Sequence, residues 1–101
     1  MTENKFTTDS EDNLENYYAG EDCWENLAKN YENIETMNTK ELLNLLNNDI
    51  KLVNVIEGIV GNSSIMWIKR NIPALNNMKP IDCINNDFLL IRLKECLLRM
   101  G

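Results

Sequence analysis

The chain has 101 residues, of which 44% are hydrophobic and 26% are charged, and its formal net charge at pH 7 is −6. A chain of this length buries one core, and its negative charge argues against nucleic-acid binding, which requires cations that neutralise phosphates. No apolar run approaches the ~20 residues of a membrane helix, and the first residues lack the basic-then-apolar pattern of a signal peptide. We therefore expect a cytoplasmic protein with no membrane contact.

The charge is divided unevenly along the chain. Residues 1–37 hold ten acids against two lysines, a net charge of −8, whereas residues 38–101 hold six acids against eight basic residues, a net charge of +2. An acidic front half is thus joined to a mildly basic back half.

The front half predicts a frayed tail over residues 1–9 and two acidic helices over residues 10–37. Ser10 is placed to cap the first helix, and Gly20 to end it. The second helix opens at Glu21 and carries one apolar stripe at spacings of three and four: Cys23, Trp24, Leu27, Ala28, Tyr31 and Ile34. Trp24 is expected to dock on the rest of the protein.

The middle of the chain predicts two more helices. Asn38 and Glu41 have the spacing of a capping box, and the helix they start ends at Asn47-Asn48. Asp49 then caps a buried helix that ends at Gly61. Its outer side is expected to hold Lys51, Asn54 and Glu57, while Gly58 indicates close packing against a neighbour.

The back half predicts three further helices around a bracketed turn. Ser63 and Ser64 precede a helix that contains Trp67, an expected core residue, and that closes with Lys69 and Arg70. Pro73 ends it, Asn76-Asn77 suits positive φ, and Pro80 begins a short helix to Ile84. We call Trp67 to Pro80 the elbow. The last helix runs from Phe88 to Met100, capped by the residues 85–87, with Arg92, Lys94, Glu95 and Arg99 at the surface.

These patterns predict an all-α fold, a compact bundle of about six or seven short helices. Residues 10–101 would form a single domain, in which residues 38–101 are the core bundle. The chain has no histidine, and Cys23, Cys83 and Cys96 form no C-x-x-C pair, so each cysteine is expected to be a buried apolar residue. No catalytic residue, metal site or cofactor is expected, and the chain is predicted not to be an enzyme.

Residues 50–101 resemble the toxin-binding C-terminal domain of Xre/ParS/MbcA-type bacterial antitoxins. Five landmarks occur in the family's order and near its spacing: Val60-Gly61, Trp67-Ile68, Ile72-Pro73-Ala74-Leu75, Lys79-Pro80-Ile81-Asp82 and Leu97-Leu98-Arg99-Met100-Gly101. Asn76-Asn77 stands where the family has glycines, and residues 1–48 are acidic and short for the DNA-binding module of such antitoxins. The resemblance implies a protein that neutralises a partner, commonly a RES-type toxin that consumes NAD.

On this hypothesis the chain is a non-catalytic inhibitor that contacts its toxin directly. The contact residues would be the elbow and the cations near it: Lys69, Arg70, Pro73, Leu75, Lys79 and Arg99. The sequence leaves open whether the chain is bacterial or phage-borne and whether it forms a homo-oligomer.

Two alternatives stay open. A small phage-type inhibitor, of the anti-CRISPR or anti-restriction kind, would use acidic side chains to mimic nucleic acid and occupy a basic groove. Its surface would comprise Glu11, Asp12, Glu15, Glu21, Asp22 and Glu25. The other alternative is a structural helical adaptor whose charged face serves only to solvate it.

Overall fold

The computed structural model describes residues 17–100, and within them the chain is all-α, as predicted, with no β-strand. The α-helices of this part are α1 (Glu21–Lys29), α2 (Thr39–Leu45), α3 (Ile50–Val60), α4 (Ser64–Ile68) and α5 (Asp87–Met100). Three single 3₁₀ turns join them: Gly61–Ser63, Pro73–Leu75 and Pro80–Asp82. No helix of residues 17–100 is long and apolar enough to cross a bilayer.

The predicted count of six or seven helices is too high. Four helices of the described part have seven residues or more, and α4 has only five. The segment expected to form a helix from Pro80 to Ile84 makes one 3₁₀ turn, and the helix expected from Ser10 begins outside the described residues. Proline fixes the first φ of a turn but does not by itself propagate a helix.

Several predicted helix boundaries are confirmed. The Asp49 side chain accepts a hydrogen bond from the Leu52 N–H at 3.1 Å and so caps α3. The Asn86 side chain accepts one from the Leu89 N–H at 3.1 Å at the start of α5. Gly61 has φ 77°, a left-handed conformation that favours glycine, and α3 ends there.

The capping box predicted at Asn38 is wrong, because the side chain of Asn38 makes no capping bond. The side chains of Thr36 and Thr39 bond the backbone here instead. The Thr36 N–H donates to Thr39 Oγ1 at 2.8 Å, and Thr36 Oγ1 accepts from the Asn38 N–H at 3.0 Å. One side chain bonds forward and the other bonds back, as in a capping box, but the forward bond starts at Thr36 and ends at Asn38.

Helix α1 is shorter than its apolar stripe predicts. It ends at Lys29, and Asn33 takes φ 66° in the turn that follows. Trp24 and Ala28 are buried, which confirms the docking of Trp24, and Tyr31 still packs against the core from the turn, while Ile34 is partly buried. Cys23 is exposed, contrary to prediction, whereas Cys83 and Cys96 are buried.

Helix α3 lies at the centre of the bundle and packs against α1, α2, α4 and α5. Its predicted outer side is therefore mostly inside: Asn54 and Glu57 are both buried, and only Lys51 remains exposed. The Glu57 carboxylate accepts hydrogen bonds from the Thr36 and Thr39 hydroxyls. A β-carbon on Gly58 would lie 2.1 Å from Tyr31 Cδ1, which confirms the close packing predicted there.

Helix α5 also buries charged residues that the sequence placed at the surface. Arg92 and Glu95 are buried, whereas Arg99 is exposed. Glu95 Oε1 accepts a hydrogen bond from the Ala19 N–H at 3.1 Å, and Glu95 Oε2 accepts one from Arg99 Nε at 2.8 Å. The chain that enters α1 is thereby held against α5.

Candidate functional site

The elbow is a closed and ordered turn. Ile72 is extended, with φ −103° and ψ 119°, as expected for a residue before proline. Its N–H donates to the Met78 carbonyl at 3.0 Å, and its own carbonyl accepts from the Asn77 N–H at 3.0 Å. Asn76 and Asn77 have φ 56° and 65°, so the left-handed turn predicted for this asparagine pair is confirmed.

Buried apolar residues attach the elbow to the bundle. Leu75, Pro80 and Trp67 are buried, the last as predicted. The 3₁₀ turn Pro73–Leu75 packs against α5, and the turn Pro80–Asp82 packs against α4. The elbow is thus fixed from inside, which keeps its outer residues in one arrangement.

The structure places four of the six predicted contact residues on the outside of this turn. Lys69, Arg70, Pro73 and Lys79 are exposed. Residues 69–79 contain no acid, and none of their three cations makes an ion pair with any residue of the described part. The elbow therefore presents, around a proline, positive charge that no acid of residues 17–100 pairs with.

Leu75 does not belong to this surface. It is fully buried, so its side chain is a core residue and cannot contact a partner without unfolding the turn. In a 3₁₀ turn three residues complete one revolution, so one of three faces inward, and here it is the bulkiest apolar one. The exposed neighbour that the sequence prediction missed is Ala74.

Arg99 is separate from the elbow in its contacts. Its guanidinium forms an ion pair with Glu95 and lies over the ring of Tyr17, with 5.8 Å between Cζ and the ring centroid. Tyr17 is half-exposed, whereas Tyr18 packs against the core. Arg99 thus helps to hold the chain before α1.

The acidic surface is only partly visible and partly compensated. Glu11, Asp12 and Glu15 lie outside the described residues. Glu25 forms an ion pair with Lys51, and Glu21 forms one with Lys94 at 3.4 Å. A hydrogen bond from the Tyr18 hydroxyl, aided by Lys94, holds the pKa of Glu21 below its ordinary value. Asp22 is exposed and makes no ion pair within the described part.

The chemistry available at the elbow is that of recognition. Its exposed side chains are cations, amides, a proline and an alanine, which offer charge, hydrogen bonds and a rigid apolar edge. Within residues 17–100 no group of three or more Cys, Asp or Glu residues is arranged to hold a metal ion.

Comparison with known proteins gives no relative for this chain. No family model, curated protein or solved structure matches it.

Proposed function

We propose that this chain is a non-catalytic, protein-binding inhibitor that resembles an antitoxin and neutralises a cognate toxin enzyme by direct contact. The observation that carries the proposal is the ordered elbow, which presents Lys69, Arg70 and Lys79 without ion pairs to the rest of the described chain. Of the other cations at the surface of the described part, Lys51, Lys94 and Arg99 form ion pairs, whereas Lys29 and Lys40 stand singly on α1 and α2, so the elbow differs by holding three such cations within eleven residues.

Order in the elbow supports binding for an energetic reason. A partner that docks on a flexible loop must first order it, and this entropic cost reduces affinity. Here the Ile72–Met78 bridge and the buried Leu75 have already fixed the turn. A partner with an acidic patch beside a shallow apolar notch, into which Pro73 and Ala74 fit, would complement the surface.

The resemblance to antitoxins indicates which kind of protein the partner is. Antitoxins with this pattern of landmarks commonly neutralise RES-type toxins, so a NAD-consuming enzyme is the partner that we infer. Residues of the landmark Ile72-Pro73-Ala74-Leu75 form the 3₁₀ turn at the tip of the elbow. Placement of the landmark at a rigid exposed turn supports its use as a contact.

The proposal is tested by coexpression with the open reading frames next to the gene. We expect one neighbour to be toxic alone and to be rescued by this chain, with a stable complex isolated from the cells. If no neighbouring product is toxic and rescued, the proposal fails.

Charge reversal locates the contact. Lys69→Glu and Lys79→Glu should each weaken the complex at least about tenfold, which corresponds to ~1.4 kcal/mol. Lys40→Glu makes the same charge change at an exposed position of α2, outside the elbow, and should leave affinity unchanged. Equal effects of all three variants would show that only net charge matters and would remove the elbow from the contact.

The alternatives of nucleic-acid mimicry and of a structural adaptor stay predictions. Neutralising Asp22, the exposed carboxylate of the described acidic surface that makes no ion pair within residues 17–100, distinguishes the mimic from the proposal. An inhibitor that acts through the elbow keeps its affinity in Asp22→Asn, whereas an acidic mimic loses affinity and salt dependence.

A further inference from the structure

A groove is formed by residues between Glu25 and Asn54, which precede the elbow in the chain. It consists of two adjoining depressions of about 460 and 340 Å³ between the end of α1, the following turn, α2 and the first turns of α3. Both depressions are lined by Asn33, Ile50 and Asn54, so they form one continuous feature. No residue of the elbow lines it.

The side chain of Asn54 marks this groove as unusual. Asn54 is only 8% exposed, and its Oδ1 is the one buried side-chain polar atom of residues 17–100 that has no hydrogen-bond partner. A buried acceptor without a donor destabilises a folded chain, and native proteins contain few of them. Asparagine is also a poor helix former, yet it stands in the middle of α3.

The next turn of the same helix face is closed. Glu57 receives the hydroxyl hydrogen bonds of Thr36 and Thr39, and the Tyr31 ring covers Gly58. The segment after α1 therefore satisfies Glu57 and covers Gly58 but supplies no donor to the buried Oδ1 of Asn54. The Asn54 side chain lines the groove without the hydrogen bonds that Glu57 receives one turn later.

Apolar surface adjoins the amide. Ile50 lies one turn before Asn54 on the same side of α3 and is 50% exposed, which is high for isoleucine. Ala28 contributes to the first depression, and Ile34 and Leu43 contribute to the second. The groove thus combines one unsatisfied carboxamide with aliphatic walls.

Charges at the rim do not select a charged ligand. Lys29 and the Lys51–Glu25 pair stand on the first depression together with Glu32, and Glu35 stands on the second. Both signs are present at short range, so neither an anion nor a cation is favoured. The ligand that complements this groove is uncharged, with hydrogen-bonding and apolar parts side by side.

We propose that the groove binds an extended peptide segment of a partner protein, with one peptide group paired to Asn54 and one aliphatic side chain against Ile50. A carboxamide has the same acceptor and donors as a peptide group, so the two can exchange N–H···O bonds in both directions. Rotation about the Cβ–Cγ bond of Asn54, a broad torsion, turns its oxygen or its nitrogen toward the ligand. The groove shares no residue with the elbow, so this proposal can be tested independently of the proposed function.

The test uses N-acetyl-leucine N-methylamide, a small molecule with two peptide groups and one aliphatic side chain, titrated into the ¹⁵N-labelled full chain. We expect saturable shifts of the Asn54 side-chain amide and of the backbone amides of Asn33 and Ile50. N-acetyl-leucine methyl ester, in which an oxygen replaces the N–H of the methylamide, should bind at least tenfold more weakly. Equal binding of the ester, shifts confined to other surfaces, or no saturable shift would overturn the proposal.

Two variants and one control complete the test. Asn54→Leu should abolish the shifts and raise Tm by about 4 °C or more, because it removes the unsatisfied polar atom. Ile50→Lys changes a half-exposed side chain, keeps the fold, and should weaken binding at least tenfold even if Asn54→Leu does not fold. Phe88→Ser changes a 71% exposed side chain elsewhere and should have no effect. A folded Asn54→Leu protein that still shows the shifts, or an Ile50→Lys protein that binds normally, would contradict the proposal.

Discussion

Gly58 lies within α3 where the ring of Tyr31 occupies the space that a β-carbon would need. Glycine normally weakens a helix by ~1 kcal/mol relative to alanine, so its presence has to be explained by packing. The close approach of the ring supplies the explanation, because Cδ1, Cγ and Cε1 of Tyr31 would all lie under 3 Å from an added β-carbon.

We predict that the sign of the Gly58→Ala effect depends on Tyr31. In the natural sequence the substitution should lower the free energy of unfolding by about 1–3 kcal/mol, because the ring or the helix must move. In a Tyr31→Ala background the clash is absent, and Gly58→Ala should stabilise by up to about 1 kcal/mol. Urea unfolding of the four proteins measures both values, and a destabilisation of equal size in both backgrounds would contradict the packing explanation.

Single-residue signals in the sequence succeed where the chemistry is local. Asp49 and Asn86 cap helices as predicted, because a cap requires only a side-chain oxygen and the N–H groups two or three residues on. The prediction at Asn38 fails because Thr36 and Thr39 also hydrogen-bond to Glu57, which is far away in sequence. A tertiary contact thus decides between two candidate capping residues that lie two positions apart.

At the scale of the element, α3 shows what periodicity misses. Lys51, Asn54 and Glu57 are spaced as an outer polar face, and only Lys51 is exposed. A helical wheel detects that one side is polar, but not that the segment after α1 folds over that side and satisfies Glu57. The helix class and limits of α3 were predictable, whereas its central position was not.

The elbow makes a prediction about backbone conformation. Asn77 has φ 65°, where a β-branched side chain clashes with its own backbone. Asn77→Val should therefore cost about 1–3 kcal/mol of stability, whereas Asn77→Gly should be neutral or stabilising. Asn44→Val, at an exposed position in α2, is the matched control and should change stability by less than about 1 kcal/mol. Chemical denaturation gives the values, and a harmless Asn77→Val would show that the turn is not left-handed.

The start of helix α1 carries a hydrogen bond between Tyr18 and Glu21, and the titration of these two groups should change the stability of the protein. The Tyr18 hydroxyl donates to Glu21 at 2.7 Å, and burial together with this carboxylate raises the pKa of Tyr18 well above its usual value of 10.0. The same hydrogen bond lowers the pKa of Glu21 below 4.5. The two shifts act at opposite ends of the pH scale.

The expected pH dependence follows from these directions. Above pH 10 the unfolded chain releases the Tyr18 proton before the folded one, so stability should fall as pH rises. Below pH 4.5 the unfolded chain takes up the Glu21 proton first, so stability should fall as pH drops. Unfolding free energies measured across pH should show both losses, and both should shrink in Tyr18→Phe. An unchanged alkaline loss in that variant would exclude Tyr18 as its source.

At the scale of the whole molecule, some acids of the acidic front half form ion pairs with cations of the back half. Glu25 pairs with Lys51 and Glu21 pairs with Lys94, while the Lys94 ammonium also lies 5.4 Å from the centroid of the Trp24 ring. The acidic front and the basic back therefore contact each other across α1. Composition reveals the imbalance between the halves, but which charges face each other depends on helix packing that the sequence does not specify.

For the candidate contact surface too, the sequence predicts the exposure of some residues but not the packing of others. Exposed Lys69, Arg70, Pro73 and Lys79 follow from the helix end and the proline, which are local signals. The burial of Leu75 and the pairing of Arg99 with Glu95 depend on how α5 packs, and the groove at Asn54 depends on where the turn after α1 ends.

The enclosure of α3 means that this protein should reassemble from two pieces. A cut between the exposed residues Asn47 and Asn48 leaves Trp24 and Leu42 on one fragment and α3 and α5 on the other, so neither holds a full core. Residues 1–47 carry eleven acids against three lysines, and residues 48–101 carry five acids against seven basic residues. Opposite net charges should speed their association at low salt. Circular dichroism should show little helix in either fragment alone and native helix on mixing, and a fragment 48–101 that folds unaided would contradict this.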